Sequence, residues 1–199
     1  MSEPVIVDSG GANISSLRFA LRRLGRPVPL TADPETILAA SHVFLPGVGA
    51  AADAMARLQR TGLADLVRGL TQPVLGICLG MQLLFEASEE DGGVSCLGCV
   101  PGTVRRIPGA PDRPVPHMGW NDTALDRSSP LFAGLGEREH FYFVHSYAAP
   151  VSEDTVATAD YGGPFTAAVS HGNFHGTQFH PERSGPAGSA VLANFLEMA

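Results

Sequence analysis

Cysteine is scarce in this 199-residue chain, which holds only Cys78, Cys96 and Cys99. An odd and small number of thiols excludes a disulfide-stapled scaffold. Positive charge is also in short supply, with 13 basic side chains against 20 acidic ones and a net charge of −7. No run of basic residues forms a stripe, so a nucleic-acid surface is excluded. Long apolar runs are missing, and none approaches the roughly 20 residues of a membrane helix. The opening "MSEPVIVDSG" has no basic region ahead of an apolar stretch, so it does not read as a signal peptide, and the chain is expected to be cytoplasmic. No repeat, low-complexity linker or nucleotide-binding glycine fingerprint occurs. An apolar content of 44% and a charged content of 17% describe one globular domain over residues 1–199 with a proper core.

The first 90 residues alternate strand and helix signals. "PVIVDSG" (4–10) is a short β-branched run ended by Ser and Gly. Asn13 is placed to cap "ISSLRFALRRLG", where Leu17, Ala20, Leu21 and Leu24 recur at helical spacing before Gly25. "PVPLTA" and "HVFLPGVGA" (42–50) read as the second and third strands. "AADAMARLQRTG" is helical, with Gly62 at its C-terminal end. "QPVLGI" is the fourth strand and "MQLLFEASEE" the helix after it. Such alternation implies βαβ units and a largely parallel sheet between helices. From about residue 91 Gly and Pro become dense and short strand-like pieces follow, among them "GTVRRI", "HFYFVHSYAAP" and "FTAAVSHGNFHGTQFHPE". "AGSAVLANFLEMA" closes the chain as a helix. The fold class is therefore α/β, with a β-rich insertion.

Chemistry concentrates at "GICLGMQ" (76–82). Gly76-Ile77-Cys78-Leu79-Gly80 has the Gly-x-nucleophile-x-Gly pattern of a nucleophile elbow, in its required context of apolar strand before and helix after. Glycines two residues either side are needed because the turn brings them together and a Cβ would clash. The sulfur then sits exposed at a helix N-terminus, where free N–H groups favour negative charge. A thiolate nucleophile needs a base and a group to orient it. "TQFHPERSG" supplies His180 and Glu182, i and i+2 on one face of an extended chain, with Pro181 disfavouring helix at His180. "LPGVGA" (45–50) ends the strand expected beside that of Cys78. Its peptides around Val48 and Gly49, with the N–H of Leu79, are placed to cradle an oxyanion.

Two other patterns carry less. Cys96 and Cys99 form a C-x-x-C, but zinc needs about four ligands and no second cysteine pair exists. The motif also runs into the breaker Pro101-Gly102 rather than a helix. His171 and His175 are four apart, yet Gly172-Asn173 between them reads as a hairpin turn, so helical metal-ligand spacing is absent. No metal is expected.

Elbow, "PGVG" loop and "QFHPE" together resemble the class I, triad-type glutamine amidotransferases. "VPHMGWN" (115–121), "FYFVHSY" (141–147), "FHPERSG" and the opening "VDSGGANISSL" further resemble the family of glutaminase subunits of imidazole glycerol phosphate synthases. That resemblance covers essentially the whole chain and implies a flavodoxin-like three-layer sandwich with no cofactor. It implies that Cys78 attacks the side-chain amide of glutamine, His180 moves protons and Glu182 orients it. It places Gly47, Gln82, Glu90, His145 and Ser146 around the substrate, and Asn13, Trp120 and Arg183 toward a cyclase subunit in a heterodimer. The ammonia released would pass to that cyclase for synthesis of imidazole glycerol phosphate and AICAR in histidine biosynthesis. Arg183 departs from the usual Lys, which keeps the charge but changes the donor geometry. A cysteine peptidase on a related fold, a catalytically silent regulatory module and the glutaminase of a different synthase are the competing readings. The first is disfavoured by Gln82, and the second by the presence of nucleophile, base and oxyanion glycines together.

Overall fold

The computed structural model describes residues 3–10 and 14–198; the proposed cap and interface residue Asn13 lies outside them. Its first half runs β1 (Val5–Val7), α1 (Ile14–Arg23), β2 (Leu30–Thr31), α2 (Pro34–Leu38), β3 (Val43–Gly47), α3 (Ala51–Arg60), α4 (Leu63–Arg68) and β4 (Val74–Cys78). Then follow α5 (Leu79–Leu84), β5 (Phe85–Ser88), β6 (Val94–Ser95), β7 (Val100–Arg106) and β8 (His117–Leu125). The remainder is β9 (Arg138–His145), β10 (Tyr147–Ala148), β11 (Thr155–Asp160), β12 (Pro164–His171), β13 (Phe174–Thr177) and α6 (Gly185–Leu196). None of these helices is long and apolar enough to cross a membrane.

Nine strands form the main sheet in the order β2-β1-β3-β4-β13-β12-β11-β8-β9. From β2 to β13 the pairing is parallel, and from β13 to β9 it is antiparallel. The central strands are apolar without alternation because both faces are covered. Val5, Val7, Val43, Leu45 and Val74 pack on one side with α2 to α5, while Ile6, Phe44, Leu75 and Ile77 pack on the other with α1 and α6. This is the three-layer α/β arrangement implied by strand–helix alternation. The β-rich segment after residue 91 divides in two. β8, β9, β11 and β12 lengthen the main sheet, and β6, β7 and β10 join β5 in a separate four-stranded sheet.

Three local readings change. The helix expected over "MQLLFEASEE" stops at Leu84, and Phe85–Ser88 is a strand. A distant loop ends it. The N–H groups of Cys96, Leu97, Gly98 and Cys99 bond the carbonyls of Glu86, Leu83, Phe85 and Leu84, occupying acceptors a helix end leaves open. This is where the C-x-x-C sits: both thiols are free, and burial pushes each up to about 11. Two short helices went unread. Asp33 caps α2 by accepting from Thr36 N at 2.9 Å, with Pro34 in the first turn. Gly62, at φ +72°, turns the end of α3 directly into α4. The Gly172-Asn173 hairpin is as read, with His171 opposite Phe174.

The elbow glycines are required by close approach. A Cβ on Gly76 would stand 2.7 Å from Gly80 O and Met81 N, and one on Gly80 would collide outright with Leu45 O. All of these are backbone atoms in the core. Gly80→Ala is therefore expected to cost at least about 3 kcal/mol, since overpacking against backbone has no side chain to yield. Urea unfolding measures it; a midpoint equal to wild type would mean that β3 and α5 are not so closely apposed.

Candidate active site

Cys78 ends β4 and precedes the first residue of α5, at φ 55° and ψ −114°. A positive φ on a side-chain-bearing residue is strained and persists only where its surroundings impose it. Here the surroundings are the pairing of Cys78 with Gly47 in β3 and the packing of Gly80 under Leu45. The strain turns the thiol toward β9, where the sulfur lies 3.7 Å from Val144 O.

His180 leaves the end of β13, which pairs parallel with β4, so both residues emerge at one sheet edge. Its Nδ1 bonds Glu182 Oε1 at 2.8 Å. The i, i+2 pairing arises differently from the extended chain expected. Pro181–Arg183 is a single 3₁₀ turn that curls the carboxylate back onto the ring. Ser184 holds this turn by donating to His180 O at 2.7 Å and accepting from Tyr142 N at 3.0 Å. Gly188 allows α6 to close from below, where a Cβ would collide with Pro181 O.

Among the described residues, buried His180 Nε2 has no hydrogen-bond partner, and the same holds for Glu182 Oε2. Burial lowers the proton affinity of the ring, but its interactions with Cys78 and Glu182 outweigh that and raise the pKa to about 10. The ring is thus held as an imidazolium with Nε2 on the side of the sulfur.

A cavity of about 400 Å³ opens over Cys78, lined also by Leu79, Val48, Gly49, His180 and Glu182. Gln82, Glu90, His145 and Ser146 line the same cavity. A thiol, an imidazolium–carboxylate pair and two glycine-flanked loop peptides around such a space suit acyl transfer.

The model for glutamine amidotransferase class-I matches residues 5–199. The chain belongs to the class-I glutamine amidotransferase family. An imidazole glycerol phosphate synthase subunit HisH from Xanthomonas axonopodis pv. citri is 54% identical, covering 100% of this chain and 99% of that one. One from Vibrio parahaemolyticus is 50% identical over 98% and 97% of the two chains. Among solved structures, a glutamine amidotransferase superposes with a TM-score of 0.75 at 21% identity over 98% and 97% of the chains. A glutamine amidotransferase from Thermotoga maritima gives 0.64 at 17%, over 99% and 82%. These structures share the fold, which is the flavodoxin-like sandwich of the amidotransferases.

Gly47 does not line the main cavity; it faces the small recess behind it, and a Cβ there would lie 2.7 Å from Gly80 N. Close approach, not rotational freedom, explains that glycine. Gly49, at φ +90° with open space around it, is the one whose conformation needs glycine. Glu90 lines the cavity and also accepts from Ala51 N at 2.6 Å, capping α3 just beyond the Val48–Gly49 loop. His145 has both ring nitrogens engaged, so only its backbone is free to meet a substrate. Trp120 is 57% exposed and pairs across β8–β9 with Tyr142, over whose ring the Arg183 guanidinium lies at 4.8 Å. The chain contains no lysine, its 13 basic side chains all being arginines, and a planar guanidinium stacks on an aromatic ring in a way an ammonium does not.

Gln178 was missed. It donates from Nε2 to Cys78 Sγ at 3.9 Å and accepts from Gln82 Nε2 at 2.9 Å. Its signal was its place two residues before His180, at the same strand end.

Proposed function

We propose that the chain is the glutaminase subunit of an imidazole glycerol phosphate synthase, hydrolysing L-glutamine to L-glutamate and ammonia. The observation that carries this reading is full-length identity of 50–54% to synthase subunits, joined to a thiol and a buried His–Glu pair over one cavity. Cys78 Sγ, as the thiolate partner of the His180 imidazolium, attacks the side-chain amide carbon, and the oxyanion is received by the Leu79 N–H and the Val48–Gly49 peptide. The His180 imidazolium gives its proton to the amide nitrogen, the C–N bond breaks, and ammonia leaves with a γ-glutamyl thioester behind. Water, deprotonated by His180, then attacks the thioester and releases glutamate and the thiolate. Gln82, Glu90 and the backbone at His145–Ser146 hold the amino-acid end of the substrate.

Ammonia protonated in water is no nucleophile, so its consumer must dock. The acceptor is a cyclase subunit seated on the face of Trp120, Tyr142 and Arg183, in a cytoplasmic heterodimer. Gly49 has room to move, whereas Gly47 is clamped. One peptide turn in this loop therefore adds or removes an oxyanion donor, which is worth roughly 10²–10³ in rate. Glutamate release at saturating glutamine is expected to be at least about 100-fold faster with the cyclase and its acceptor ligand than for the chain alone. Equal rates with and without the cyclase would sink the partnership.

A further inference from the structure

Several buried titratable side chains have no part in the mechanism above, and two of them meet each other beside the cavity. His117 and His145 are register partners on β8 and β9 and are bonded ring to ring, His117 Nδ1 to His145 Nε2, at 2.9 Å. The carbonyls at the two ends fix every proton between them. Tyr147 O only accepts, so His145 Nδ1 carries the hydrogen that reaches it at 2.9 Å. A neutral His145 then accepts at Nε2, so His117 donates from Nδ1. His117 Nε2 in turn accepts from Asn121 Nδ2 at 3.4 Å, and Asn121 gives its other amide hydrogen to Asp160 O at 2.9 Å.

Burial keeps both rings neutral, lowering His117 to about 4 and His145 to about 3. An added proton on either would also set two N–H groups against each other. The relay ends inside the cavity. Tyr147 O accepts from Gln82 Nε2 at 2.8 Å as well, so one carbonyl is held from both sides. Gln82 gives its second amide hydrogen to Gln178, and its Oε1 makes no hydrogen bond among the described residues in a side chain that lines the cavity.

We propose that His117 is a positioning residue for substrate binding: by donating to His145 Nε2 it fixes the His145 tautomer, which holds the Tyr147 carbonyl, and with it Gln82 and the Ser146–Tyr147 backbone, in the geometry that receives the amino-acid end of glutamine. This rests on the glutaminase reading. A purely structural His117 would fill the space between Tyr161 and Phe143, whose rings stack on it at 4.0 and 5.0 Å. Phe fills that space equally well and donates nothing, whereas Asn replaces the donor at the Nδ1 position.

The test compares His117→Phe and His117→Asn with wild type in the complex with the cyclase subunit. His117→Phe is expected to raise KM for glutamine about tenfold, the cost of one buried acceptor left unpaired, with kcat little changed. His117→Asn should recover most of that loss. Nitrogen-15 spectra of the imidazoles should find His145 protonated at Nδ1 in wild type and a mixture of tautomers in His117→Phe. A folded His117→Phe with wild-type KM, or a wild-type His145 protonated at Nε2, overturns the proposal. A wild-type complex releasing no glutamate overturns the glutaminase reading and this role with it, while the imidazole spectra still decide whether the relay exists.

Discussion

Replacing Cys78 with Ala is expected to remove glutamine-dependent synthesis by the complex while leaving synthesis from added ammonium salts intact. The expected loss is on the order of 10⁴-fold or more, because a missing nucleophile cannot be covered by its partners. The variant should fold. Ala occupies the same strained backbone, and the restraints on that strain come from Gly47 pairing and from Gly80 beneath Leu45, not from the sulfur. The residual contacts of the sulfur, to Val144 O at 3.7 Å and from Gln178 Nε2 at 3.9 Å, are long and contribute little to stability. Ammonia-dependent synthesis needs only the cyclase and a docked partner, so it reports assembly independently of glutamine chemistry. Should it fall as far as the glutamine reaction in a correctly assembled complex, the division of labour between the subunits is wrong.

How much of this was legible in the sequence depends on the range of the interaction responsible. Cys78 could be read because an elbow is local: its glycines, strand and helix are all close neighbours along the chain. His180 and Glu182 could be read as a pair, but their curl could not, since the 3₁₀ turn is held by Ser184 bonding Tyr142 on another strand. The end of α5 was invisible for the same reason. Apolar periodicity runs on through Phe85, and only the loop at 96–99, arriving from outside, takes the helix's last carbonyls. Likewise no pattern in "VPHMGWN" announces that its histidine meets that of "FVHSY". Their contact is a consequence of β8–β9 register, which pairing alone decides.

His180→Asn should slow glutamine turnover by roughly 10²–10⁴-fold, the usual worth of a positioned acid–base group. Glu182→Gln should cost less, because the ring survives and Ser184 still holds the turn. The two variants differ most in pH dependence. In wild type the His180 ring is pushed up to about 10 against the opposing effect of burial, through Cys78 and Glu182. A neutral amide at 182 withdraws one of those supports, so the ring loses its proton at lower pH. In the proposed mechanism the imidazolium delivers that proton to the departing ammonia, and the alkaline limb of kcat/KM should therefore move down by about one to two pH units in Glu182→Gln. Stability follows the same sign. A ring whose proton affinity is raised on folding adds stability that is complete below its ordinary value near 6.5 and fades as pH rises through about 10. The stability gap between wild type and Glu182→Gln should accordingly be widest near neutrality and close toward pH 10. An unmoved alkaline limb, or a Glu182→Gln variant slower than His180→Asn with both folded, would mean that Glu182 does not act through the imidazole.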